Sequence, residues 1–232
     1  MTNVSGRLLI ASPYLTDGNF LRSVVFMVRH DSEGAFGVSI NRPTERRFRD
    51  LVELSSPVGM LRQDDHLFLG GPVGGPILAL HAMAGLGEPC RTVGDSEDRD
   101  AQATVDFSVL EDADSVAEFL GTPQPGDSTP KSEESLPPAW ITGDEDHLRL
   151  LHQRSDVAVK FVTAYSGWGP GQLEYEMESG GWLVGDADQD ILFGDPNEAW
   201  ETAVRRCGHS ILCGIAPGLR NSGINNSNPE LN

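Results

Sequence analysis

The apolar residues of this chain come in short, β-rich runs, and each run is closed by a proline or a glycine turn. In the first part of the chain that punctuation reads as strands and turns. RLLIASP (7–13) is an apolar run ended by Pro13, with the length of a buried strand. After the polar turn TDGN (16–19) comes RSVVFMVRH (22–30), then a turn through 31–34, then GAFGVSIN (34–41). Two such runs split by a few turn residues predict an antiparallel hairpin. Gly34 and Gly37 in the third run predict a bulge or the close approach of another backbone.

Pro43 ends the hairpin and holds the preceding residue extended. Thr44 then predicts a cap for a helix over 45–54, with Phe48, Leu51, Val52 and Leu54 on one face. HLFLGGPVGGPILALHAM (66–83) reads as two short strands, 66–69 and 77–82. They are joined by Gly70, Gly71, Pro72, Gly74, Gly75 and Pro76, a loop whose backbone can approach another group closely.

Further on, ATVDFSVL (103–110) reads as a strand and DADSVAEFL (112–120) as a helix, while GTPQPGDSTPKSEESLPP (121–138) has almost nothing to bury. DEDHLRLLHQ (144–153) is an amphipathic helix, and VAVKFVTAYSG (157–167) a central strand. Gly167, Pro170 and Gly171 make a sharp turn into a helix over 171–178, Pro170 suiting the first helical turn. Leu173 and Met177 point inward there, while Glu174 and Glu178 share another face. GGWLVGD (180–186) and DILF (190–193) are expected as strands, and PNEAWETAVRRC (196–207) as a terminal helix capped by Asp195.

These elements predict an α+β fold of mostly antiparallel sheet with peripheral helices. With 232 residues, 38% hydrophobic and 22% charged, the chain can bury one core. One domain is expected over 1–213, with an acidic, partly flexible insertion at about 88–156 and a polar tail at 214–232. No apolar run approaches the roughly 20 residues needed to cross a bilayer. The first residues lack the basic and apolar regions of a secretory signal, so the expected location is the cytoplasm.

The formal charge of −18 is uneven: residues 1–80 hold eight Lys/Arg and eight Asp/Glu, and residues 81–232 hold nine and twenty-seven. An acidic body repels phosphate backbones, which disfavours direct nucleic-acid binding. Against it stand Arg42, Arg46, Arg47 and Arg49, which read first as a solvated helix face paired with nearby carboxylates. Cys90, Cys207 and Cys213 are too few for a disulfide framework. C-x-H-x3-C around His209 has no second ligand pair for a structural zinc. No metal and no cofactor are expected.

No nucleophile elbow, phosphate-binding P-loop, metalloprotease helix motif or dinucleotide fingerprint occurs. What remains is a set of glycine corners flanked by single polar side chains. Asn41, Arg42 and Pro43 end the hairpin. Arg42 is placed either to pair with Glu174 or to clamp an incoming carboxylate. His81 lies on an apolar strand, where a satisfied core histidine is the commoner case. Gly167, Trp168, Gly169, Gln172 and Glu174 form a strand-to-helix junction able to cradle an anion. Glutamates so near the helix start would compete with that anion. The expectation is one candidate cleft that joins these residues to the Gly70, Gly71 and Pro72 turn.

Three separated blocks carry a resemblance. GRLLIASPYLTDGNFLRSVVFMVRHDSEGAFGVSINRP, then LGGPV with His81 following in ALHAM, then YSGWGPGQLEYEM with WL resemble, in order, the signatures of the YqgE/AlgH family of bacterial proteins. The likeness covers roughly 5–83 and 157–206. Segment 88–156 is longer and more acidic than the family's usual middle, and the tail beyond 213 is unusual. The resemblance implies an α+β domain with coiled, bifurcated sheets and no established enzyme activity. The family carries the label of a transcriptional regulator.

The expected function is therefore a non-catalytic regulatory domain that binds a small ligand or a protein partner. Two alternatives remain. One is a DNA-associated regulator, following the label. The other is an enzyme of unrecognised type, acting on a small acidic substrate through Arg42, Glu174 and His81.

Overall fold

The computed structural model describes residues 3–51, 66–91 and 139–215. The expectations for 103–110, 112–120 and 121–138, for most of the acidic insertion, and for the tail beyond 215 lie outside the described residues.

Among the described residues ten strands form the frame: β1 (Arg7–Ala11), β2 (Val24–Asp31), β3 (Gly34–Ser39), β4 (Pro43–Arg47), β5 (His66–Leu69), β6 (Val73–His81), β7 (Glu88–Cys90), β8 (Ala139–Thr142), β9 (Val159–Trp168) and β10 (Trp182–Asp186). Helices α1 (Glu145–Gln153), α2 (Gln172–Glu178), α3 (Gln189–Phe193) and α4 (Pro196–Ile215) lie around it. The strand order is β10-β1-β2-β3-β9-β6-β8-β7. β5 lies parallel to β9, and β4 pairs with β5 on its far side. The other pairings are antiparallel.

β9 is where the sheet divides. Its last residues, Ser166 to Trp168, pair with β3, while Phe161 to Thr163 pair with β5 on the same flank. The opposite flank holds β6. The chain from β5 to β6 must therefore cross over β9, and it does so at Gly70 and Gly71. A Cβ on Gly70 would sit 2.3 Å from the Ala164 carbonyl oxygen, and one on Gly71 2.2 Å from that of Tyr165. Both are below any contact that backbone can tolerate, so only glycine passes. The crossing is stitched by Gly70 N–H to Thr163 O (2.8 Å), and by Ser39 N–H (2.7 Å) and Ser166 Oγ (3.0 Å) to Gly70 O. Beneath it Ala164 is left-handed, with φ 63°. This breaks the two-residue alternation of β9, so Val162 and Tyr165, three apart, join the same core.

Alternation elsewhere sorts the side chains onto two faces. Leu8, Ile10, Val24, Phe26, Phe36 and Val38 pack beneath α3 and α4, against Ile191, Leu192, Ala199 and Ala203. Leu9, Ala11, Val25 and Met27 face the other way, under Trp168, Leu173 and Trp182. A third cluster, Phe48, Leu67, Ala79 and Phe161, packs against Leu148 and Leu151 of α1.

The hairpin forms as expected, with a bulge between Met27 and Arg29. Gly34 has φ 139°, and a Cβ there would meet the Trp168 carbonyl at 2.3 Å, which is the predicted close approach. Asp195 Oδ1 accepts the Asn197 N–H at 2.9 Å and so caps α4, which runs well past residue 207.

Three local expectations are corrected. The helix expected from residue 45 is the strand β4 followed by one tight turn, Phe48–Asp50. Thr44 Oγ1 donates to Leu67 O at 2.7 Å across to β5 instead of capping a helix. Phe48 is drawn into the core, stacked on Phe161 at 3.9 Å. The segment 190–193 is helical, because Asp188 Oδ1 accepts the Ile191 N–H at 3.0 Å and opens a turn. Four apolar residues are too few for periodicity to separate the two states. Pro170 stands outside α2, whose N-cap is Gly171 at φ 73°.

Candidate functional site

Trp168 ends β9, and the turn after it reverses the chain so that α2 lies across the sheet face carrying Leu9 and Val25. Trp182 opens β10 on that same face. An indole N–H can only donate, and two of them buried side by side require an acceptor. Glu176 supplies it: Oε2 accepts from Trp168 Nε1 at 2.9 Å and from Trp182 Nε1 at 2.8 Å. Its Oε1 accepts from Gln172 Nε2 at 3.0 Å, and Gln172 Oε1 accepts the Gly169 N–H at 3.2 Å. Phe20 fills the remaining side, stacked near Trp168 at 6.0 Å and edge-on to Trp182 at 5.2 Å. Glu176 escaped the sequence reading, although two glycine-flanked tryptophans near three glutamates announce the need for such an acceptor.

Glu174 does not meet Arg42. Its Oε1 lies 3.1 Å from Nε2 of the buried His30, with 19% of the carboxylate side chain exposed. His30 Nδ1 accepts the Val4 N–H at 3.2 Å, which leaves the proton of the neutral ring on Nε2, directed at the carboxylate. The His30 backbone is tied to the N-terminal segment as well, its N–H donating to Ser5 Oγ at 2.8 Å and its carbonyl accepting from Asn3 Nδ2 at 2.8 Å.

Arg42 is held at the hairpin end. Nε donates to Ser23 Oγ at 2.9 Å and a terminal nitrogen to Leu21 O at 3.2 Å. Burial lowers its pKa, with Asp17 acting in opposition. Asn41 ties the same loop, accepting the Val24 N–H at 2.9 Å and donating to Arg22 O at 2.9 Å. The Arg42 carbonyl accepts the Leu69 N–H at 2.8 Å, and Pro43 pairs in register with Phe68. This corner therefore adjoins the Gly70 and Gly71 crossing, with Pro72 exposed beyond it.

The candidate residues thus fall into three places. Asn41, Arg42, Pro43, Gly70, Gly71 and Pro72 share one corner. Gly167, Trp168, Gly169, Gln172 and Glu174 share the α2 junction, linked to that corner through the loop carrying Phe20, Leu21 and Ser23. His81 lies apart, at the end of β6 opposite Trp140 and Val159. It is fully buried, and its Nδ1 accepts the Met83 N–H at 3.2 Å. Burial lowers its pKa to about 4, helped by His147.

A buried lysine also went unread in the sequence. Lys160 Nζ donates to Ile40 O at 2.8 Å and Gly194 O at 3.5 Å, and lies 4.8 Å from the Phe68 ring centre. Burial lowers its pKa to about 8 against the attraction of Asp195.

A cavity of about 390 Å³ opens elsewhere, between the edge strand β10, its neighbour β1 and helices α3 and α4. None of the candidate residues lines it. Its floor is apolar, with Leu8, Ile10 and Leu183 facing Ile191 and Ala203. Gly185 also lines it, and a Cβ there would come within 3.0 Å of the tip of Ile10. Arg7 pairs with Asp186 at 2.9 Å, and Arg206 pairs with Asp188 and, at 3.7 Å, with Asp190. The Cys207 thiol donates to Val184 O at 3.6 Å, and burial raises its pKa.

A mostly antiparallel, curled sheet that divides along one long strand, with a few covering helices, defines an α+β class of protein. The AlgH-like family model (DUF179) matches residues 8–212, and the chain belongs to that family. A UPF0301 protein of Cytophaga hutchinsonii is 28% identical over 207 residues, 88% of this chain and 89% of the relative. One of Bradyrhizobium diazoefficiens is 30% identical over 218 residues, covering 93% and 85%. The fold is shared with the solution structure of the AlgH protein from Pseudomonas aeruginosa, at TM-score 0.55 and 22% identity, covering 93% and 94% of the two chains. It is shared also with the crystal structure of DIP2367 from Corynebacterium diphtheriae, at TM-score 0.54 and 18% identity, covering 88% and 86%. No described helix is long and apolar enough to cross a membrane.

Proposed function

We propose that this chain is a non-catalytic, small-ligand-binding regulatory domain whose ligand occupies the cavity between β1, β10, α3 and α4. The observation that carries this reading is the cavity itself, an unfilled hollow of about 390 Å³ with apolar floor and charged rim, within the size range of small-molecule sites. The acid–base groups of the α2 junction, by contrast, are committed. Both nitrogens of His30 are engaged, Nδ1 by the Val4 N–H and Nε2 by Glu174 Oε1, so the ring offers no free lone pair to a substrate. Glu176 serves two indoles and a glutamine.

A thermal-shift screen of metabolites tests the reading. A ligand at 100 times its Kd stabilises the fold by about 2.7 kcal/mol, a shift easily read. Stabilisation by one or a few compounds, without their conversion, is the expected result. A silent screen, or turnover of the bound compound, would overturn it.

A further inference from the structure

Among the described residues β10 is an outer strand of the sheet, paired with β1 alone. Successive residues of a strand turn their backbone groups to alternate sides. Ala11 N–H donates to Ser23 O on the β2 side at 2.9 Å, and Ser12 N–H to Gly181 O on the β10 side at 2.9 Å. Leu8 and Ile10 share the parity of Ser12, so their backbone groups meet Gly185 and Leu183, the residues opposite them. Val184 stands opposite Leu9, and its N–H and C=O therefore point off the edge of the sheet. The Cys207 thiol reaches that carbonyl from α4 at 3.6 Å, which leaves its second lone pair open. Among the described residues nothing accepts the N–H. Val184 is half-buried and lines the cavity, yet its side chain packs on the opposite face, with the Trp168 and Trp182 cluster. What it presents to the hollow is backbone, a donor beside an acceptor.

The charges around the hollow cancel. Arg7 is paired with Asp186, and Arg206 with Asp188. Burial raises the pKa of Cys207, which keeps the thiol neutral. An ion entering would shed water without finding a free counter-charge. A neutral molecule meets no such cost and gains the apolar floor of Leu8, Ile10 and Leu183.

We propose that the cavity takes a small uncharged compound of peptide type, one extended aliphatic residue with an amide at each end. Its N–H donates to Val184 O and its C=O accepts from Val184 N–H, as in a strand added to β10. This assignment rests on the small-ligand reading above and names the ligand class for it.

The test is calorimetric titration of the full chain with N-acetyl-L-valine methylamide (neutral), N-acetyl-L-valine (anionic) and L-valine methylamide (cationic). The neutral compound is expected to bind about tenfold or more tighter than either ion. Val184→Pro removes the outward N–H and spares the ladder to β1, since an outer strand accepts proline where its N–H faces away from the sheet. It is expected to weaken the neutral compound about tenfold. A fourth compound, 2-acetoxy-N,3-dimethylbutanamide, has an ester oxygen in place of the N–H that meets Val184 O. It is expected to bind about fivefold weaker than its amide parent, and it needs no variant should Val184→Pro fail to fold. Equal binding of the neutral compound and either ion, or binding untouched by the ester exchange and by Val184→Pro, overturns the assignment. If none of the four binds but the metabolite screen finds another compound, the ligand class falls while the small-ligand reading stands. If the screen is silent too, both fall together.

Discussion

Glu176 shows how much one carboxylate can organise. Three donors converge on it, two of them buried indoles, so its removal strands groups that water cannot reach. Glu176→Gln keeps one acceptor oxygen but turns an amide N–H₂ toward donors. It is expected to cost about 1–3 kcal/mol in chemical denaturation followed by tryptophan fluorescence. His81 and Lys160 make separate predictions about pH. The folded pKa of His81, about 4, lies below its ordinary 6.5, so between those values the unfolded chain binds the proton and the native protein does not. Stability therefore falls as pH drops from 6.5 to 4, by up to about 3 kcal/mol. His81→Gln, which retains an acceptor for Met83 N–H, is expected to flatten that limb of a melting-temperature profile. Lys160, at about 8 against 10.5, acts in the alkaline range. Between those values the unfolded chain again holds the extra proton, so stability rises with pH from 8 to 10.5. Lys160→Met should remove that rise, and a rise that persists would show that another group causes it.

Among the elements, the crossing of β5 to β6 over β9 places the tightest demand on sequence. Gly70→Ala drives a methyl into backbone on a central strand that is paired on both flanks. The expected loss is about 3 kcal/mol, the upper end for overpacking, read as a lowered denaturation midpoint. Ala164, left-handed beneath the crossing, tolerates no branched side chain at Cβ. Ala164→Val is expected to cost about 2 kcal/mol, whereas an ordinary strand position would welcome valine. Unchanged stability in Ala164→Val would mean that the strand relaxes and the turn at residue 164 is not required. The sequence pointed at Gly70 and Gly71 as a place of close approach. Ala164 gave no warning, because nothing in VAVKFVTAYSG marks a change of side-chain parity.

At the scale of the whole molecule, the charge governs which partners are approachable. The chain carries −18 overall, and the exposed Arg46 and Arg49 lie on a short strand and turn rather than on a helix that could enter a groove. Passage through a non-specific DNA column at physiological salt, without retention, is the expected behaviour. Retention that falls steeply with added salt would favour a nucleic-acid partner.

Local patterns carried the longer strands, the hairpin, the α4 cap and the family signatures, because period, turn chemistry and capping act within a few residues. The DILF segment and the stretch after Pro43 went the other way, since a cap at Asp188 and the pull of Phe161 on Phe48 outweighed their local appearance. The candidate site divides along the same line. That the glycine corners bring backbones together was legible, as was the adjacency of Asn41 and Arg42 to the Gly70 turn. Which side chain meets which was not. Glu174 met His30 from 144 residues away, Lys160 reached Ile40 across 120, and the hollow under Gly185 exists only because β10 lies beside β1 beneath α4. Residue type and spacing decided the elements of this protein; long-range packing alone decided its pairs and its cavity, because those contacts depend on where the chain returns and not on what precedes or follows a residue.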